Sequence, residues 1–144
     1  MKKFVVLLLA ISAIIISVLF MDFKEKEIDN INVNKFNVEY EKFKKDSLSG
    51  LEVATAINKA IDNNETLEVE RTENGFYILN DENSIEIYVT FNSTETTYQM
   101  ERLYGLGMQK FIENFGSVEF KCTDVKYHKK TGRIASMVFE AIEY

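Results

Sequence analysis

Proline and tryptophan are absent from this sequence, and cysteine and histidine occur once each, as Cys122 and His128. A single cysteine excludes an intramolecular disulfide, so any small exported domain here must be held by its core alone. Two such side chains also fall short of the ligand set a zinc site requires. Nor do they suit a nucleophile and its base: the strand between positions 122 and 128 spans roughly 20 Å at about 3.3 Å per residue, beyond hydrogen-bond reach. The serine motifs G-x-S-x-G and S-x-x-K are missing, as are G-x-G-x-x-G and the phosphate-loop pattern. No cofactor, metal site or catalytic residue is expected. His128 reads as a solvated loop residue, and Cys122, beside Phe120, as a small core residue. Arginine is scarce as well, with 3 against 14 lysines. The codon bias of an AT-rich genome accounts for that, and it leaves the lack of proline with little structural meaning.

One long apolar run is present. In MKKFVVLLLAISAIIISVLFMDFKEKE, the 18 residues from Phe4 to Met21 carry no charge. As a helix they reach roughly 27 Å, near the thickness of the hydrocarbon core of a bilayer. A signal-peptide core is shorter, about 7–15 residues, and is followed by small residues that a peptidase can cut between. Here bulky Leu19, Phe20 and Met21 occupy that ground, so the run is read as an uncleaved anchor, with a secreted, cleaved product as the alternative. Lys2 and Lys3 precede the run, whereas the charges from Asp22 to Glu27 nearly balance. The positive-inside bias therefore leaves the N-terminus cytoplasmic and the remainder outside, as a single-pass protein of the cell membrane.

Beyond the run, 15 basic residues face 23 acidic ones. That balance argues against nucleic acid as a partner and against broad adhesion to anionic headgroups. Residues 22–45 begin as a charged stalk and then gain helical spacing at Val33, Phe36, Tyr40 and Phe43. Ser49-Gly50-Leu51-Glu52 is a capping box, and the stripe Val53, Ala54, Ile57, Ala60 and Ile61 predicts a helix over 50–63. Alternation then predicts strands at Leu67–Glu70, at Phe76–Leu79 after an Asn74-Gly75 turn, and at Ile85–Phe91. Apolar spacing predicts a second helix over 98–115, interrupted by Gly105 and Gly107. VEFKCTDVKY and IASMVFEAIEY form a closing hairpin, with a bulge near Thr123-Asp124 and a left-handed Gly132. The class is α+β, with two helices packed on an antiparallel sheet of about five strands in a domain over 46–144, after the anchor (1–21) and the stalk (22–45).

Candidate sites are few. Lys126, His128, Lys129, Lys130 and Arg133 make a basic tip on an acidic domain, a possible contact for a protein or an anionic envelope polymer. Asp81, Glu82 and Glu86 are the nearest thing to an acid/base pair, with a charged solvated turn as the plainer reading. Asp62-Asn63-Asn64-Glu65 lacks the spacing of a calcium loop.

The anchor, the F-x-x-x-Y-x-x-F-K-K segment, the S-G-x-x-V-A-x-x-I-N-K-A-I-D-N-N helix, the F-K-C-T strand and the Y-H-K-K-T-G hairpin together resemble a group of small anchored proteins of low-G+C Gram-positive, clostridia-like bacteria. The resemblance spans most of residues 36–142 and implies an exported location but no activity. The layout is also similar to that of pilins, although the chain lacks their Gly before a Phe-rich start and the acidic residue early in the apolar helix. The expectation is an anchored extracytoplasmic binding or assembly protein that is not an enzyme. The alternatives are a hydrolase using carboxylates alone and a pilin-like or secretion-apparatus accessory subunit.

Overall fold

The computed structural model describes residues 14–19, 21, 24, 32–92 and 94–142, in two compact units, Met1–Lys35 and Phe36–Tyr144. In the first, residues 14–19 and 21 are helical with exposed side chains. Among the described residues no helix is long and apolar enough to cross a membrane, and most of the run expected as an anchor lies outside them.

The second unit starts inside the segment expected as stalk. Residues 36–41 are helical (α1), and the Phe36, Tyr40 and Phe43 rings stack at 5.0 and 6.1 Å. Tyr40 and Phe43 are buried in the core. The Asn37 side chain donates to Gly132 O at 2.9 Å and accepts from Ile134 N–H at 3.0 Å, which docks α1 on the C-terminal hairpin.

The capping box forms as expected. Ser49 accepts from Glu52 N–H, and the Glu52 carboxylate accepts from Ser49 N–H at 2.9 Å. It opens α2 (Gly50–Thr66), directly after the two-residue strand β1 (Leu48–Ser49). The first amides of α2 have no partner within their own helix. Two of them find carbonyls at the end of another, Gly50 N–H donating to Val118 O and Leu51 N–H to Gly116 O.

The remaining elements are β2 (Glu86–Phe91), β3 (Thr96–Gln99), α3 (Met100–Leu106), α4 (Met108–Phe115), β4 (Glu119–Tyr127) and β5 (Ile134–Ala141). The five strands lie in the order β1-β4-β5-β2-β3. The sheet is mixed, which corrects the expected antiparallel one. The hairpin inserts β5 between β4 and β2, where it runs antiparallel to the first and parallel to the second. The expected second helix is divided at Gly107, whose φ of 99° lies outside the helical range, and its first residues belong to β3. The strands expected within 67–79 shrink to one bridge, Arg71 with Tyr77, in a long loop. The hairpin matches expectation, with a register shift between Cys122 and Asp124 and Gly132 at φ 72°. Ile57, Ile61, Ile87, Val89, Phe111 and Phe120 share one core, with Phe115 and Cys122 partly buried against it.

Candidate functional site

The 80–84 turn and the tip of the β4–β5 hairpin are fastened together. The Asn80 side-chain oxygen accepts the amides of Glu82, Asn83 and Ser84, which closes the turn. Lys130 pairs with Glu82 at 3.0 Å, and the Thr131 hydroxyl donates to Glu82 O. His128 is buried, not solvated as expected: its Nε2 lies 2.6 Å from Ser84 O. A carbonyl only accepts, so Nε2 carries the hydrogen. The histidine is a strut between two loops, and its partner is 44 residues away in sequence, where spacing gives no hint of it.

Beside this strut runs a groove of about 600 Å³ whose lining includes Tyr88, Tyr127, Ala135, Ser136 and the carboxylate of Asp81. Lys126, His128, Lys129 and Lys130 line it, so four of the five residues of the expected basic tip come together. Lys126 lies 3.8 Å from Asp124, and Lys129 makes no ion pair among the described residues. Hydrogen bonding to Glu82 raises the Lys130 ammonium above its ordinary value, keeping it charged. Arg133 does not join them, since its guanidinium stands 5.1 Å over the Phe36 ring. Tyr88 was not legible as a site residue, because its alternation in β2 shows only that it faces away from the core.

The expected acidic candidates separate. Asp81 and Glu82 are exposed in the turn, whereas Glu86 is 1 % exposed. Its neighbour is Glu101, in the first turn of α3, which no sequence pattern connects to it. Burial pushes the Glu86 carboxyl up to about 8, with the neighbouring Glu101 carboxyl adding to the shift. Glu101 also lines a cleft of about 440 Å³ with Arg71, Phe76, Arg102 and Tyr104. The Asp62–Glu65 stretch closes α2, where Asn64 turns inward to bond the Ile85 backbone, so these residues do not converge on a cation. Among the described residues no group of three or more His, Cys, Asp or Glu side chains gathers as a metal site would.

Comparison of the chain with protein-family models, with curated proteins and with solved structures finds no match.

Proposed function

We propose that this is a membrane-anchored extracytoplasmic binding protein of the cell envelope, held by residues 4–21, whose compact unit takes an anionic polymer in the hairpin-tip groove. The observation that carries this reading is the gathering of Lys126, Lys129 and Lys130 on a tyrosine-lined groove in an otherwise acidic chain. Lysine is a flexible point charge suited to phosphate or carboxylate groups along a chain, and Lys44, over the Tyr127 ring at 5.2 Å, adds a further ammonium beside the groove. Acidic surface elsewhere repels the same polymer, which favours one mode of contact.

The placement of the two carboxyls supports binding over hydrolysis. Glycoside hydrolysis needs two carboxyl groups about 5 Å or more apart, with the scissile bond between them. Glu86 and Glu101 stand next to each other, and Glu86 is 1 % exposed, out of a substrate's reach.

Binding of linear polyphosphate and of neutral dextran to the full-length chain in detergent tests the reading. Polyphosphate binds and weakens with salt, while dextran does not bind. Replacing Lys126, Lys129 and Lys130 by alanine removes three exposed contacts of about 0.5 kcal/mol each, a loss of roughly tenfold. Equal binding of the two polymers, or a triple variant that binds as the parent does, overturns it.

A further inference from the structure

Glu86 opens β2 and Glu101 stands at the start of α3. Glu86 Oε1 accepts from Met100 N–H at a long 3.4 Å. Glu101 Oε1 accepts from Tyr77 N–H at 2.8 Å, and its Oε2 is buried with no hydrogen-bond partner among the described residues. Two carboxylates are acceptors only, so the contact between them becomes a hydrogen bond only when one carries a proton. A proton on Glu86 removes one charge from the interior and gives Glu101 Oε2 its missing donor. A hard cation is the other way to hold two adjacent carboxyls, but it takes about six or more oxygen ligands, and among the described residues no group of three or more acidic, His or Cys side chains gathers here.

The charged and titratable groups around the pair do not take the place of that proton. Arg71, on the loop, is directed to Glu65 of α2 at 2.9 Å and to the Tyr77 hydroxyl and ring. Arg102, on α3, stands 5.9 Å over the Tyr98 ring of β3. Tyr88, on β2, is raised by burial and by both carboxyls, which keeps it neutral. Ser136, beside Glu86 in register on β5, carries no charge. Among the described residues no guanidinium or ammonium hydrogen-bonds to either carboxyl.

We propose that Glu86 and Glu101 share one proton, and that this proton is the clasp that holds the 67–85 loop against α3. One end of the loop is fixed independently, since the Asn64 side chain exchanges two hydrogen bonds with the Ile85 backbone at 2.8 and 2.9 Å. In its middle, the Tyr77 amide on Glu101 ties the loop to α3. The cleft walled by Arg71, Phe76 and Tyr104 lies between the loop and α3 at that tie. Loss of the proton leaves two like charges next to each other, that of Glu86 buried. Parting them frees Tyr77 from α3 and opens the cleft.

Amide hydrogen exchange of the full-length chain in detergent, corrected for the intrinsic effect of pH on exchange, tests the clasp. Between about pH 6 and about pH 9 the protection of the Tyr77 amide falls by about tenfold or more relative to that of the Phe111 amide. Glu86→Gln places an amide N–H where the acid proton stood, so its ratio stays flat within about twofold and its Tyr77 protection at low pH matches the parent. Glu101→Gln keeps the acceptor for Tyr77 and adds a donor toward Glu86; it flattens the profile too and decides the matter should Glu86→Gln not fold. A flat ratio in the parent overturns the clasp, and so does a folded variant that keeps the parental slope.

Discussion

Replacing Phe111 with alanine removes one ring of an aromatic cluster. Phe111 is 5 % exposed, its ring lies 5.4 Å from Phe115 and 6.5 Å from Phe120, and Phe91 closes the group at 4.7 Å from Phe115 and 5.9 Å from Phe120. The neighbours are held by α4, β2 and β4 and cannot collapse far into the space, so the loss is about 3–5 kcal/mol, transfer and cavity together. A domain of this kind has about 5–15 kcal/mol in total, and here no disulfide adds to it. With a urea slope of about 2 kcal/mol per molar, the midpoint drops by about 2 M. The assay is a urea melt of the full-length chain in non-ionic detergent, followed by far-ultraviolet circular dichroism because the sequence has no tryptophan. Leu106→Ala, at a side chain 64 % exposed, is the control and shifts stability by under about 0.5 kcal/mol. A Phe111→Ala melt superimposable on the parent refutes the assignment of α4 to the core, and its apolar stripe then becomes a surface for a partner.

Gly50→Ala costs at least about 2 kcal/mol in the same melt, because a Cβ there collides with the Phe115 carbonyl, whereas Gly105→Ala, with open space in α3, gains up to about 1 kcal/mol. The buried Tyr40 hydroxyl has no hydrogen-bond partner among the described residues, so Tyr40→Phe is neutral or stabilising by up to about 1 kcal/mol, read as a higher urea midpoint. Stability depends on pH through Glu86, whose folded value of about 8 lies above its unfolded value of 4.5. The folded state then binds the extra proton. Its stability is full below the unfolded value, falls by up to about 1.4 kcal/mol per pH unit across that window, and levels off above it. Melts at stepped pH read this slope directly, and Glu86→Gln abolishes it.

What could be read in advance was local. The capping box needs only Ser49 and Glu52, three residues apart, and the hairpin announces itself through Gly132 and a change of parity between Cys122 and Val125. What could not be read was pairing at a distance. Alternation in β2 shows that Ile87 and Val89 face inward, but not that the neighbour is β5 running parallel, which depends on the path through α3, α4 and the hairpin. β3, with the sequence TTYQ, has too little apolar content to declare itself and exists through its ladder to β2. The basic tip was legible as a charge cluster, yet not that Arg133 leaves it for Phe36 or that His128 reaches Ser84. Glu86 reads as solvated by every local rule. Burial under the folded chain, with Glu101 brought up beside it by the start of α3, makes it an interior acid.

The central claim is that the compact unit is a head held outside a membrane by residues 4–21, and one fractionation tests it most directly. Membranes from cells making the full-length chain are washed with alkaline carbonate after the intact cells have been treated, or not, with external protease. The account predicts that the untreated chain stays in the pellet at its full mass and that the treated sample has lost the Phe36–Tyr144 unit. An intact chain released to the supernatant, a chain shortened by loss of its N-terminus, or a head shielded from the protease contradicts it.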